Sequence, residues 1–539
     1  MSELLIHNAN IRTMDPSRPV ADWLLIRGET IAALGSGDTP AAARRIDAGG
    51  HLVLPGFQDA HIHLLNGGAD LIETAQLYDC TTLPDIAAAL RAHAGAWDGP
   101  MIWGAGWNCG YFGDRNLTRD ILDAAVPDRP CLIYDDSFHN ACLNSRALGM
   151  AGIADGTPDP PNGRIVRDAD GRATGMLHED AIHAVLPRLP RTAPETQTQG
   201  LRAAMRLANS LGITGVLDPQ ILDYHVTHYA AARDADALTL RVSGAMMITP
   251  QDDAGTALAR LTALRAAHSG DTFHLHSAKF FLDGVFENRT AALIGPYADA
   301  PGGNAPLMFP QPQIDSLFTA LDAARFQIHV HCIGDAAVRA ALDGFEAARA
   351  ANGPWPGLHQ IAHCQLVHPD DFPRFAALGV MANFQPLWAV NDPVVRDPAT
   401  AMIGPARAPF TYPTRSLIDA GAPFCISSDW AVSTLSPFQI IGTAITREPP
   451  RAMGRAEPFF PQERMTIAEA VAGYTVHAAA ACWRGHFTGR LSPGFSADLI
   501  VTDRDIFACD PYAVAETQVL ATLFKGRAVF DTSMIGGMQ

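Results

Sequence analysis

The chain is expected to fold as an α/β protein. It should comprise a (β/α)8 TIM barrel, a small β-sandwich built from both termini, and a large insertion after barrel strand one. Three observations lead there. From Leu54 to about His486, apolar strand-like runs alternate with alanine-rich amphipathic segments, the pattern of a parallel sheet covered by helices. Both ends instead carry short alternating runs broken by glycine turns. Polar residues suited to chemistry stand at the C-terminal ends of the apolar runs, where barrel active sites are built.

Taken in order, LLIHNANIRTM, ADWLLIRGETIAAL and GGHLVLPG give the N-terminal part of the sandwich, residues 1–55. SADLIVTDRD and QVLATLFKGRAVFD give its C-terminal part, residues 488–539. The barrel occupies 56–487, with strands expected in LVLPGFQDAHIH, ITGVLD, LRVSGAMMI, LHSAKFFLDG, FQIHVHCIGD, LHQIAHCQL, VMANFQPLW and PFCISSD. AAVRAALDGFEAARAA and PDDFPRFAALG read as helices between them. Residues 68–195, rich in Gly, Pro, Asp and Asn, exceed what one βα connection needs. A segment of that length carries its own structure, and we expect a subdomain over the barrel mouth.

Composition bounds the function. Hydrophobic residues make up 48% and charged residues 18%, with a formal net charge of -17. That charge disfavours nucleic acid and anionic membrane as partners and favours neutral or cationic small-molecule substrates. The nine cysteines are scattered without a CxxC, which points away from a disulfide framework and toward a reducing compartment. MSELLIHNANIRTMD lacks a basic-then-apolar leader, and no apolar run reaches spanning length. The expectation is a soluble, cytoplasmic protein; a homodimer is compatible with it. No GxSxG and no Walker lysine is present, and WGAGWNCG falls short of a dinucleotide fingerprint.

Only two lysines occur, Lys279 and Lys525, among 39 basic residues. Arginine is a fixed cation, whereas a buried lysine amine can lose its proton and react. Lys279 lies inside an apolar strand; Lys525, in TLFKGRAVF, reads as a turn lysine. Upstream stand His61 and His63, two apart, so both imidazoles share one strand face. Downstream, His331, His363 and Asp429 each close another apolar run. Together these six are the parts of a two-metal hydrolase centre in which the Lys279 amine has captured carbon dioxide. Zinc suits the mixed nitrogen and oxygen set, with manganese, cobalt or iron as alternatives.

Each residue also has a plainer reading. The HxH pair can be core or surface histidines near a turn. His329 shares a strand face with His331, so a swap stays open; His331 is preferred as nearer the strand's C-terminal end. Asp429 can be the N-cap of a following helix. Lys279 can be an ammonium paired with Asp283, four residues on. Cys332 and Cys364 directly follow ligands, and alternation assigns them to packing.

PGFQDAHIH, the lone strand-four lysine, HVHCIGDAAV, IAHCQLV, SSDWAVSTLSP and GRLSPGFSADLIVTD together resemble the amidohydrolase superfamily. More narrowly, the set resembles its amidohydrolase-3 branch of YtcJ-like proteins and N-substituted formamide deformylases. DDSFHNACLNSRAL resembles that branch's H-x4-N-S-x-A-L pattern, which by analogy places His139 near the mouth. Departures are local: Gln58 stands where a small or aliphatic residue is commoner, and FENRTAAL is an individual version of its segment. The resemblance implies that His61, His63 and Asp429 hold the more buried metal and His331 and His363 the more exposed one. Lys279 bridges as its carbamate, and Asp429 acts as general base and then acid in cleaving an amide-type C–N bond of a partly apolar substrate. Asp59 and Asp335 are candidates to orient ligand imidazoles. Trp107, His139, Arg289, Gln385 and Trp430 are candidates for substrate binding.

Two rivals differ in class. A mononuclear aminohydrolase would deaminate a cyclic amidine and need no lysine carbamate. A non-catalytic metal-binding or regulatory protein would keep the fold without turnover.

Overall fold

A computed structural model of the chain describes residues 3–533 apart from 109–115, 301, 392–395, 452, 453 and 455; Cys109 lies outside the described residues. Leu52–Pro55 is where the two termini meet. It pairs in parallel with Asn10–Arg12 on one side and antiparallel with Leu499–Thr502 on the other. One six-stranded sheet therefore holds strands from both ends of the chain. A four-stranded sheet that includes Glu3–His7 and Trp23–Arg27 faces it. Leu4, Ile6, Leu24, Val53, Leu499 and Leu523 share the apolar core, as expected where only inward positions of alternating strands are buried.

The run LVLPGFQDAHIH is divided between two sheets. Leu52–Pro55 belongs to the sandwich and Phe57–Asp59 is barrel strand one, with Gly56 between. A Cβ on Gly56 would lie 2.4 Å from Thr214 Oγ1, so only glycine lets the chain pass so close to strand two. The remaining barrel strands are Ile213–Ile221, Arg241–Met247, Phe273–Phe281, Gln327–Cys332, Gln360–His363, Met381–Phe384 and Phe424–Ile426. They lie side by side in chain order, all parallel, as an eight-stranded, nearly closed barrel. Strands one and eight meet at their C-terminal ends: the Asp59 carboxylate accepts from Ser428 N at 3.1 Å, and Asp429 N donates to His61 O at 2.8 Å. Helices cover the outside. In Asp335–Asn352 the buried residues Val338, Ala341, Leu342 and Phe345 repeat at helical spacing.

The insertion forms a six-stranded sheet within residues 74–179. Its helix Leu83–Ala96 starts at a Thr82–Asp85 capping box, a local start signal written in the sequence. The chain leaves and re-enters the barrel through helices Leu64–Glu73 and Pro194–Ser210, which touch at Gly68 and Gly200. A Cβ on Gly68 would lie 2.4 Å from Gly200 O, so the clamp at the base of the insertion depends on two missing side chains.

At the barrel floor the wholly buried Arg241 guanidinium pairs with Asp498 of the sandwich and, at 3.1 Å, with Asp271. Lys525 sits in a turn and reaches Glu29 at 2.9 Å and Asp271 at 3.1 Å. The second lysine thus ties the sandwich to the barrel. Among the described residues no helix is long and apolar enough to cross a membrane.

Candidate metal centre

Five elements deliver the candidate ligands to one spot inside the barrel mouth. His61 and His63 lie just beyond strand one rather than on it, His63 preceding helix Leu64–Glu73. Lys279 and His331 are on strands four and five, and His363 is the last residue of strand six. Asp429 follows strand eight with φ +54°, and His363 has φ +77°. Side chains rarely take such backbone angles, and they persist where surrounding structure holds them. The next helix begins at Pro437 with Ser436 as its cap, so Asp429 is not an N-cap.

Asp429 Oδ1 is buried and lies 3.5 Å from His61 Nε2 and 3.3 Å from His63 Nε2. Asp429 Oδ2 is 3.9 Å from His363 Nδ1. The His331 and His363 rings are 4.5 Å apart. Among the described residues His61, His363 and Asp429 are the one group of three whose ligand atoms all lie within 4.8 Å of one another. The Lys279 ammonium nitrogen is fully buried, has no hydrogen-bond partner, and stands 4.5 Å from the Phe281 ring centre. Burial pulls its pKa down to about 7, the direction expected for a cation removed from water. Asp283 is not its partner. That carboxylate accepts from the amides of Ile333, Gly334 and Ala292 at 3.0, 2.8 and 3.0 Å.

The imidazoles are prepared to act as neutral ligands. Burial holds His61 and His331 well below the ordinary histidine pKa and His363 at about 3. Each has one nitrogen engaged from behind: His61 Nδ1 by His329 Nε2 at 2.9 Å, His363 Nδ1 by Gln385 Oε1 at 2.9 Å, and His331 Nε2 by Gly284 O at 3.3 Å. The opposite nitrogens are left for a cation, the arrangement that orients metal-bound histidines. A buried carboxylate, neutral imidazoles and an unpartnered amine in one pocket fit a divalent-metal site.

Several expectations are corrected in detail. Asp59 does approach His61, but it accepts from the backbone amide at 3.2 Å and leaves the imidazole alone. Asp335 accepts from Ile294 N at 2.9 Å instead of meeting a candidate ligand imidazole in a hydrogen bond. Trp107 is wholly buried in the core of the insertion, with Nε1 donating to Asn116 Oδ1 at 3.2 Å; its neighbours Gly106 and Asn108, not its own ring, reach the cavity. Gln385 is likewise absent from the cavity wall and sits behind His363. His139, Arg289 and Trp430 do line the cavity, Arg289 with Asp299 at 2.6 Å. Gln58 is fully buried, and neither amide atom has a partner.

The cavity above the centre measures about 1810 Å³, and the insertion supplies much of its wall, including Tyr78, Phe138 and Met176. His139 Nδ1 lies 2.7 Å from Glu179 Oε2, and its ring is 5.5 Å from that of His331. Burial alone would lower the His139 pKa, but Glu179 overrides it and raises it to about 9. Glu179 has φ +52° and also accepts from Thr290 Oγ1 at 2.6 Å, joining the insertion to the loop after strand four. The Trp388 indole stacks on His363 at 5.2 Å and 12°. Sequence reading missed Glu179 and Trp388. Trp388 lay within a recognised strand-end run, whereas Glu179 carried no signal outside the tertiary fold.

An eight-stranded barrel with such a ligand cluster at its C-terminal mouth defines a metal-dependent hydrolase. The profile of the amidohydrolase family, Amidohydro_3, matches residues 44–530, and the chain belongs to that family. It is a hydrolase of carbon–nitrogen bonds that works with a divalent metal. The chain is 30% identical over 547 residues to Protein LONG AFTER FAR-RED 3 of Arabidopsis thaliana, covering 98% of this chain and 92% of that one. It is 28% identical to the N-substituted formamide deformylase of Arthrobacter pascens, covering 98% of each. Among solved structures, an uncharacterized metal-dependent hydrolase from Pyrococcus furiosus superposes with a TM-score of 0.73 at 25% identity, over 94% of this chain and all (100%) of that one.

Proposed function

We propose that the protein hydrolyses an amide-type C–N bond of a partly apolar substrate, using two divalent cations. His61, His63, Lys279, His331, His363 and Asp429 would hold them. The observation that carries this reading is the buried Lys279 Nζ, which has no hydrogen-bond partner, set in one pocket with Asp429 and the imidazoles of His61, His63, His331 and His363. Near neutral pH part of Lys279 is the free amine, which adds to carbon dioxide and releases a proton. The resulting carbamate offers two oxygens sharing one negative charge, where the ligand group found among the described residues has Asp429 as its one carboxylate. Bound at this centre, divalent cations acidify a water and polarise the carbonyl it attacks. The donor set suits zinc, with manganese, cobalt or iron able to replace it.

Asp429 receives the proton of the attacking water at its open carboxylate and returns it to the leaving nitrogen. His139, held by Glu179 and facing the cavity, hydrogen-bonds a substrate oxygen. Trp388 and Trp430 wall the apolar part of the substrate, and Arg289 stands at the rim. The formal net charge of -17 favours neutral or cationic substrates over anionic ones. The similarity to an N-substituted formamide deformylase makes N-substituted amides the first compounds to screen. The same reading keeps the chain in a reducing, cytoplasmic setting, with the eight described cysteines as free thiols.

The compact His61, His363 and Asp429 group favours a second reading, a mononuclear aminohydrolase. Elemental analysis of wild type and Lys279→Ala separates the two. About two metals per chain, falling in the variant, supports the carbamate-bridged centre. About one metal in both proteins sinks it and promotes the mononuclear reading.

A further inference from the structure

A chain of side-chain amides runs through the barrel interior from its floor to His363. Gln327 Nε2 donates both protons to backbone carbonyls, Leu358 O at 2.8 Å and Ala481 O at 2.9 Å. Gln360 Nε2 donates to Gln327 Oε1 at 3.1 Å and to Ala481 O at 3.3 Å. Asn383 Nδ2 donates to Gln360 Oε1 at 2.9 Å and to Ala60 O at 3.1 Å. Gln385 Nε2 donates to Asn383 Oδ1 at 3.1 Å and to Ser427 Oγ at 2.7 Å, and Ser427 Oγ donates to Asn383 Oδ1 at 2.6 Å. Gln385 Oε1 then stands 2.9 Å from His363 Nδ1. All of these side chains are buried.

The order of donors and acceptors is forced. A backbone carbonyl only accepts, so the Gln327 amide must turn its nitrogen to Leu358 and Ala481 and its oxygen to Gln360. Each following amide inherits that direction, because reversing any one sets oxygen against oxygen in a dry interior. The Gln327, Gln360 and Asn383 amide nitrogens each also donate to a backbone carbonyl, which repeats the constraint at three links. The last group facing His363 is therefore an oxygen.

We infer that the Gln327–Gln360–Asn383–Gln385 chain is a positioning array. It locks His363 as the tautomer protonated on Nδ1, with the Nε2 lone pair presented to the metal. Its polarity originates at carbonyls on the opposite end of the barrel. The inference rests on His363 being a ligand, as proposed above, but the tautomer is set with or without metal.

Nitrogen-15 NMR of histidine-labelled protein, apo and zinc-loaded, reads the tautomer directly, with His363→Gln used to assign the signal. Protonation on Nδ1 in the apo protein is the expected result; protonation on Nε2 overturns the inference. Zinc retention against a chelator is the second readout. Gln385→Met should weaken it about 10- to 100-fold. Gln360→Met, which touches no ligand, should weaken it less. Unchanged zinc retention in folded Gln385→Met also overturns the array's role. Should a variant not fold, the wild-type tautomer still decides. Wild type that binds no zinc sinks the hydrolase reading while leaving the tautomer result standing.

Discussion

His329 Nε2 lies 2.9 Å from Nδ1 of His61, the two rings buried side by side in the barrel lumen. His329 stands behind the candidate ligand His61, with its own Nδ1 unpartnered, while His331 sits two residues further up the same strand beside His363. Strand parity had left the two interchangeable. The contact with His61 separates them.

If His329 orients His61, His329→Phe should keep the fold and weaken metal binding about 10- to 100-fold. Competition with a chromogenic chelator measures it. Retention equal to wild type would show that His61 needs no support from behind.

The barrel floor should make the protein acid-sensitive independently of the metal. His276 is wholly buried against Trp483, and burial, then the nearby Arg484 charge, hold its pKa at about 3. The folded value lies below the unfolded one of about 6.5. Stability from neutral His276 is thus fully present above about pH 6.5 and is lost as pH falls toward the folded value, because the unfolded chain takes the proton first. Each pH unit in that window costs on the order of 1 kcal/mol. Urea unfolding at pH 7 and pH 5 should show His276→Leu losing less stability than wild type. Parallel losses in the two proteins would remove His276 as the cause.

Arg241 and Arg289 should behave oppositely. Arg241→Met leaves Asp498 buried without its counter-ion, and a loss of about 3–5 kcal/mol is expected. Arg289→Ala removes a part-exposed pair with Asp299 and should cost under about 1 kcal/mol. Thermal unfolding of the two variants side by side checks the contrast. A small effect at Arg241 would mean that the Lys525 pairs and apolar packing suffice to hold the sandwich to the barrel.

Gly68→Val places a side chain against Gly200 O and should force helices 64–73 and 194–210 apart. Overpacking of this kind costs about 1–3 kcal/mol. Limited proteolysis should then cut first within residues 68–195, since the clamp holds both ends of the insertion. An unchanged cleavage pattern would show that the insertion is anchored elsewhere, for example through Glu179.

Each of the eight barrel strands overlaps a run that could be picked out by eye, because a strand buried on both faces has few polar positions to disguise it. The metal-ligand candidates were legible for a related reason. Histidine, lysine and aspartate at the ends of apolar runs conflict with their surroundings, and such conflicts mark functional positions. Trp107 was misread because a tryptophan in a glycine-rich loop looks the same whether it faces a cavity or fills the core of the insertion. Asp335 was misread because an acid at a helix start and an acid behind a ligand have identical local sequence.

What the sequence determined by itself was therefore the periodicity, the division into sandwich, barrel and insertion, and the cluster of groups that do not belong in an apolar interior. Only the tertiary structure decided which of two lumen histidines backs a ligand, that Lys279 lacks Asp283 as a partner, and that Glu179 braces His139. It also decided the direction of the amide chain beneath His363. Those outcomes depend on hydrogen bonds between residues far apart in the chain, and the acceptors that settle them include backbone carbonyls such as Ala481 O. Every residue carries a carbonyl, so its role comes only from where the fold places it.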